Sequence, residues 1–291
     1  GYFMSFNDEW KDYKIIATGD GEKLEQWKDI ILLRPDPQVI WPKKFDFSKY
    51  PGLHARYIRS SNGGGSWQEY LPMPSEWKVS WRNLCFKVKP MGFKHTGLFP
   101  EQALNWSKMI DLIKAADRPV SVLNLFAYTG GATVACLSAG ASVCHVDAAK
   151  AMVERAGENA RLSGLGNADM RLIVDDCFKF VQREIKRGRK YDAVIMDPPS
   201  YGRGPNGEKW KIETGLFSLV ELTRQLLSEK PLFYLINSYT TGLQPTVLKN
   251  ISCSALKGIK GETIAYEVCL PTMEEGIELP CGASSMFIAK Q

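Results

Sequence analysis

Val122-Leu-Asn-Leu-Phe-Ala-Tyr-Thr-Gly-Gly131 reads as a buried β-strand running directly into a tight glycine turn. A short apolar run bounded by a turn signal is what a strand covered on both faces looks like. Three aspartates answer it downstream, each closing a later strand: Asp147, Asp176, and Asp197 at the head of Asp197-Pro-Pro-Ser200. Outward from this core the pattern predicts strands near 120–126, 142–147, 170–175, 191–196, 232–237, 262–270 and 284–289. Helices are predicted near 100–116, 131–139, 149–163, 177–187, 212–229 and 245–256. Alternating strand and helix marks a mostly parallel α/β sheet with helices on both faces. The last two strands are joined through Thr272-Met-Glu-Glu-Gly276 without a full helix, which predicts a hairpin and one antiparallel strand.

Residues 1–90 have a different texture. Six of the eight tryptophans fall there, among short aromatic or β-branched runs punctuated by Pro35-Asp-Pro37, Gly63-Gly-Gly65 and Pro72-Met-Pro74. This predicts a small β-rich N-terminal domain over 1–90, followed by an α/β domain over 91–291. The indoles suit either a core for a small sheet or a stacking platform for single-stranded RNA, and the core reading is favoured.

The 291 residues are 44% hydrophobic and 24% charged, the balance of a soluble globular chain, and no apolar run reaches membrane-spanning length. Gly1-Tyr-Phe-Met-Ser5 lacks a signal-peptide pattern. The seven cysteines (85, 136, 144, 177, 253, 269, 281) are odd in number and scattered, and none pairs with His54, His95 or His145 at metal-ligand spacing. They read as reduced residues of a cytoplasmic protein with no metal. The net charge of +5 divides as +3 over 1–90 and +2 beyond, which permits a nucleic-acid partner without demanding one. Oligomeric state is left open, a homodimer included.

In an open α/β sheet ligands bind beyond the carboxyl ends of the strands. A dinucleotide site needs three spaced glycines so that pyrophosphate can lie against bare backbone. Here only Gly130-Gly131 is present, and Phe126 and Tyr128 fill the space, which argues against a dinucleotide oxidoreductase. Asp147 stands where a carboxylate accepts both ribose hydroxyls. Asp176 stands where one accepts an adenine amino proton, with the Cys177 backbone N–H free for a ring nitrogen. The set describes a nucleoside carried without its phosphates.

His95-Thr-Gly-Leu-Phe-Pro-Glu-Gln102, Leu123-Asn-Leu-Phe-Ala-Tyr-Thr-Gly-Gly131, Val146-Asp147, Asp175-Asp176-Cys-Phe178 and Met196-Asp-Pro-Pro-Ser-Tyr201 together resemble the class I S-adenosylmethionine-dependent methyltransferases. More narrowly they are similar to the bacterial large-subunit ribosomal RNA enzymes that form 5-methylcytosine and 7-methylguanine. The resemblance implies a Rossmann-like, seven-stranded methyltransferase sheet and S-adenosylmethionine as cofactor. It sets Phe99 and Gln102 over the methionine and ribose end, and Asn124 and Ala127 under the methionine, with Thr96 as a further cofactor contact. Phe126, Tyr128, Gly130, Ala148 and Asp197 are expected to complete the cofactor site with Asp147, Asp176 and Cys177.

Asp197, Pro198, Pro199 and Ser200 are the candidate catalytic residues. Two prolines hold the chain extended and remove two donors, leaving carbonyls for a substrate that brings N–H groups. An amine bonded to Asp197 and the Pro198 carbonyl would aim its lone pair at the methyl, so nitrogen is the favoured acceptor. Attack at a pyrimidine carbon needs a cysteine that first adds to the ring. The related 5-methylcytosine enzymes carry Ser-Cys-Ser after the fifth strand, whereas this chain has Asn237-Ser-Tyr-Thr240; Cys253 and Cys281 remain the substitutes to consider.

Tyr201-Gly-Arg-Gly-Pro-Asn-Gly-Glu-Lys-Trp-Lys211 reads as a mobile basic loop, with Tyr201, Arg203, Lys209 and Trp210 as candidate substrate contacts, or as a solvated loop in which Trp210 packs on the next helix. Lys186-Arg-Gly-Arg-Lys190 reads as a helix end. The expected activity is methylation of RNA, ribosomal RNA first. Methylation of a protein side chain or small amine is the rival, and a non-catalytic RNA-binding protein retaining a nucleoside pocket is the alternative of another class.

Overall fold

The computed structural model describes residues 5–92 and 95–291. Residues 1–4, where a leader pattern was sought, lie outside that set. The chain forms two compact units, Gly1–Ala103 with Cys269–Pro280, and Leu104–Val268 with Cys281–Gln291.

The first unit carries a five-stranded sheet of β1 (Tyr13–Gly19), β2 (Glu22–Trp27), β3 (Ile30–Pro35), β4 (Leu53–Arg59) and β5 (Gly65–Glu69), paired in that order. Every pairing is antiparallel except β3 with β4. A separate hairpin joins β6 (Trp77–Trp81) to β7 (Leu84–Val88). Ala17, Leu24, Leu33, Phe47 and Leu53 build the core, each larger side chain contributing about 1.5–3 kcal/mol by leaving water. The tryptophans answer the earlier alternative. Trp27 and Trp81 are fully buried, and the Nε1 donors of Trp10, Trp41, Trp67, Trp77 and Trp81 all bond within this unit. Trp27 and Trp81 are core residues, and the other four are half-buried.

The second unit opens with α1 (Ala103–Ala116), whose first residue closes the preceding unit, and then alternates as expected. β8 (Ser121–Leu125), α2 (Gly131–Ser138), β9 (Ser142–Asp147), α3 (Lys150–Leu162), β10 (Met170–Val174), α4 (Cys177–Lys186) and β11 (Ala193–Met196) lead to a short hairpin, β12 (Tyr201–Arg203) and β13 (Lys209–Lys211). After it come α5 (Ile212–Arg224), β14 (Phe233–Ser238), α6 (Pro245–Ala255), β15 (Gly261–Pro271) and β16 (Glu278–Ala289). The seven-stranded sheet runs β10-β9-β8-β11-β14-β16-β15, with β16 antiparallel to β14 and the pairings from β10 to β14 parallel. Chain order reverses at β8, which puts the switch point between β8 and β11.

Side-chain alternation assigns the helices to faces. Leu123, Leu125, Val194, Met196, Tyr234 and Ile236 share one core with Phe180 and Val181 of α4, Leu216 and Leu219 of α5, and Leu248 of α6. Asn124 and His145 point the other way and bond Thr133 of α2. No helix among the described residues is long and apolar enough to cross a membrane, and no cluster of three metal-ligating side chains occurs among them. None of the seven cysteines is in a disulfide.

Candidate active site

Parallel register brings the motif residues to one edge. Ile195 pairs with Asn124 and Met196 with Leu125, so Asp197 emerges beside Phe126; Val174 pairs with Asp147, which sets Asp176 two residues beyond. On the other side Met196 pairs with Ile236, and Asn237 emerges beside Asp197.

The turn after β8 is a strained piece of backbone. Phe126 and Tyr128 have φ of 53° and 54°, and Gly130 has 85°. For a non-glycine residue this left-handed conformation costs about 1–2 kcal/mol, so neighbours must hold it. They do so through three consecutive amides. Phe126 N–H donates to the Cys177 Sγ at 3.3 Å, Ala127 N–H to the Val146 carbonyl at 3.0 Å, and Tyr128 N–H to Asp147 Oδ2 at 2.9 Å. The turn is thus written on the ends of β9 and α4.

The glycine pair has a packing cause. A Cβ on Gly130 would lie 2.8 Å from the Ala156 Cβ of α3, and one on Gly131 would lie 2.6 Å from the Trp106 ring of α1. Close helix approach therefore requires both glycines, independently of any ligand. Beneath them Asn124 Nδ2 donates to Thr133 Oγ1 at 3.0 Å, and Thr133 meets His145 Nδ1 at 2.8 Å. Burial pushes His145 down to about 4, so this imidazole is neutral. Asn124, 3% exposed, spends its amide on this brace.

Asp147 is half-buried, and each oxygen accepts one backbone N–H, from Tyr128 and from Ala149 at 3.0 Å. A carboxylate has about four acceptor positions, which leaves capacity for the two hydroxyls of a ribose. Burial raises its carboxyl above the ordinary aspartate value, while the N–H groups of Ala149, Tyr128 and Ala148 pull the other way. Asp176 caps α4 by accepting Lys179 N–H at 2.9 Å, so its expected adenine contact shares the carboxylate with a structural duty. Cys177 is buried, its thiol pushed well up by desolvation, and it serves the turn as an acceptor. These donors and acceptors suit an adenosine that brings hydroxyl and amino protons. Thr96, Phe99 and Gln102 lie in the first unit, where Thr96 is buried with its hydroxyl toward the Leu98 carbonyl, and Phe99 accepts Gln102 N–H.

At the chemical end, Asp197 Oδ1 accepts Asn237 Nδ2 at 2.9 Å, and Ser200 and Thr240 hydroxyls bond at 2.7 Å, joining the loops after β11 and β14. Asn237 and Thr240 were missed as site residues because a buried amide near a strand's end and a hydroxyl in the loop after it carry no motif of their own. The segment 201–211 is the β12–β13 hairpin rather than an open loop. The expected stacking role of Trp210 gives way. Its ring is 8% exposed, 4.9 Å from Phe126, and its Nε1 donates to the Pro199 carbonyl at 2.8 Å. One of the two proline carbonyls expected to face substrate is consumed by that bond. Tyr201, Arg203 and Lys209 are exposed on the hairpin. α4 ends at Lys186, with Gly188 at φ 69°, so the basic run after it is a helix end as expected.

Comparison with known proteins bears on this geometry directly. The model of the S-adenosylmethionine-dependent methyltransferase family matches residues 48–230. A crystallised SAM-dependent methyltransferase of Agrobacterium tumefaciens has a TM-score of 0.92 and 32% identity, covering 98% of this chain and 92% of that one. A candidate ribosomal RNA large-subunit methyltransferase of Methanocaldococcus jannaschii is 30% identical over 186 residues, 64% of this chain and 43% of its own length. Ribosomal RNA large subunit methyltransferase K/L of Methylococcus capsulatus is 35% identical over 122 residues, 42% of this chain and 16% of its own. The chain thus spans less than half the length of these curated relatives. With a family match over most of its length and the glycine turn, the Asp147 carboxylate and the Asp-Pro-Pro-Ser segment at one sheet edge, the chain belongs to the S-adenosylmethionine-dependent methyltransferase family.

Proposed function

We propose that the protein transfers a methyl group from S-adenosylmethionine to a nitrogen of an RNA nucleobase, with ribosomal RNA as the first substrate to test, in a cytoplasmic setting. The observation that carries this reading is the Asp197 carboxylate at the β11 end, anchored on one oxygen by Asn237 and followed by two prolines. The bound cofactor supplies an electrophilic methyl on a sulfonium. Asp147 takes the ribose hydroxyls, and Asp176 the adenine amino group. Asp197 would accept an N–H of the incoming amine and orient the nitrogen lone pair for in-line attack. As the N–CH3 bond forms, the CH3–S bond would break to leave S-adenosylhomocysteine, and the proton shed by nitrogen would pass to the Asp197 carboxylate. Positioning and exclusion of water would provide the acceleration. The exposed Tyr201 offers a stacking face, and Arg203 and Lys209 offer charge to phosphates.

Names of the curated relatives support the RNA assignment, and the absence of a cysteine among Asn237-Ser-Tyr-Thr240 supports nitrogen over carbon. The test is mass spectrometry of ribosomal RNA nucleosides with and without the gene, alongside transfer to stripped ribosomal RNA. A missing methylated base whose label sits on nitrogen is expected. Transfer to a protein extract or small amine but not to RNA would replace the substrate class.

A further inference from the structure

Asp197 is the end of a longer hydrogen-bonded chain through the interior of the second unit. Asn237 Nδ2 donates to Asp197 Oδ1 at 2.9 Å; Ser284 Oγ donates to Asn237 Oδ1 at 2.8 Å; Asn105 Nδ2 donates to Ser284 Oγ at 3.0 Å; and the Tyr266 hydroxyl donates to Asn105 Oδ1. The participants come from β14, β16, α1 and β15, and all four are buried, at 2%, 0%, 0% and 4% exposure.

The polarity of this chain is dictated from one end. An ionised carboxylate only accepts, so Asn237 must present its NH2 to Asp197. That leaves the Asn237 oxygen for Ser284, whose hydroxyl must then donate. The Ser284 oxygen is left to accept from the Asn105 NH2, and the Asn105 oxygen to accept from the Tyr266 phenol. Each donor points toward Asp197, and each bond polarises the next in a low-dielectric interior. Burial raises the Tyr266 phenol well above its ordinary range, so it is a permanent donor. Had the neighbourhood needed only a packed core, apolar side chains of similar volume would have served at least as well.

We propose that Asn237, Ser284, Asn105 and Tyr266 form a one-way hydrogen-bond relay that holds the Asp197 carboxylate in the orientation in which it accepts the substrate N–H. They are positioning residues, and the proposal rests on the reading of Asp197 as that acceptor. The relay fixes one carboxylate oxygen and leaves the other directed by it, so its loss is felt in turnover rather than in cofactor binding.

The full chain carries the test, with Tyr266→Phe, Ser284→Ala and Ser284→Thr. In the ligand-free protein, the Asn237 side-chain amide signals are assigned by their loss in Asn237→Asp and followed by 15N NMR. Both Tyr266→Phe and Ser284→Ala should shift them, since Tyr266 reaches Asn237 through Asn105 and Ser284 and also bonds Ser284 directly. On stripped ribosomal RNA, Ser284→Ala should lower kcat about tenfold, with KM and cofactor affinity changed less than about twofold. Ser284→Thr, which keeps the hydroxyl, should recover most of the loss. Unmoved Asn237 signals in both variants overturn the relay, as do equal kcat losses for Ser284→Ala and Ser284→Thr. If Ser284→Ala fails to fold, Tyr266→Phe, which removes one oxygen, decides by the same signals. If the unmutated protein does not methylate RNA, the functional reading fails, and the NMR comparison still decides the relay.

Discussion

The Asp147 carboxylate accepts the backbone N–H of Tyr128 at 2.9 Å, tying the end of β9 to the crest of the strained turn after β8. One side chain therefore shapes the turn and faces the ligand edge. Its burial raises the carboxyl, which means that the ionised form gains less from the folded protein than from water. Asp147→Ala should nonetheless cost about 1–3 kcal/mol of unliganded stability at neutral pH, because it leaves the Tyr128 and Ala149 N–H groups without their acceptor. Cofactor affinity should fall at least about tenfold, because bonds to a charged acceptor contribute about 1.5–3 kcal/mol each. Calorimetry and thermal melting on the same samples separate the two effects.

The same shift sets a pH dependence. A folded carboxyl raised above 3.8 contributes stability that is present below that value and lost as pH rises through the raised one. Cofactor affinity runs the other way, since only the ionised form accepts both ribose hydroxyls. Acidification should weaken S-adenosylmethionine binding at pH values where an ordinary aspartate is still ionised. Titration calorimetry across mildly acidic buffers checks this; affinity that is flat down to the ordinary value would remove Asp147 from the ribose.

Gly130→Ala combines a φ of 85° with a Cβ placed 2.8 Å from that of Ala156. Strain of about 1–2 kcal/mol and overpacking of about 1–3 kcal/mol should add to a loss of about 2–5 kcal/mol in urea unfolding. Ala156→Gly in the same chain should return the overpacking part and leave the strain, a split that double-mutant analysis reads directly.

The sheet was legible because its signals are local. Apolar runs of strand length, Gly turns and amphipathic helices each announce themselves within a dozen residues, and Asp147, Asp176 and Asp197 follow strand ends that the pattern already marks. What stayed hidden depends on pairing between distant segments. Gly130 is expected from the sequence only as part of the cofactor site, whereas packing against Ala156 and Trp106 requires it and Gly131. Trp210 looked like a stacking face because it sits among glycines and lysines, and only the β12–β13 pairing shows its ring turned inward against Phe126. Asn237 acquires meaning from the register that sets β14 beside β11.

The two aromatic residues at the ends of that hairpin should respond in opposite ways. Trp210→Phe removes the indole N–H that holds the Pro199 carbonyl, so it should lose about 1 kcal/mol of stability and lower kcat through the displaced rim. Tyr201, 64% exposed, carries no such bond, and Tyr201→Ala should melt within about 0.5 kcal/mol of the parent. Base stacking contributes about 1–3 kcal/mol, so its KM for RNA should rise about tenfold or more. Steady-state kinetics with stripped RNA, paired with urea melts, distinguishes the two.

Cys281 decides between nitrogen and carbon. The β14–β16 pairing ends at Ser238 with Ala283, and Gly282 has the Tyr239 ring 2.9 Å from where its Cβ would be. Cys281 therefore lies at the edge from which Asp197 and Asn237 emerge, while Cys253 is exposed on α6. A pyrimidine-carbon mechanism would need a thiolate to add to the ring and later leave it, so losing that sulfur would abolish turnover. Transfer to nitrogen uses Asp197 as acceptor and needs no sulfur. Cys281→Ser and Cys253→Ser should each keep kcat within about threefold of the parent, and RNA carrying 5-fluorocytosine should form no adduct that survives denaturation. An adduct with the parent that disappears in Cys281→Ser would move the acceptor to carbon and leave Asp197 to orient the ring instead.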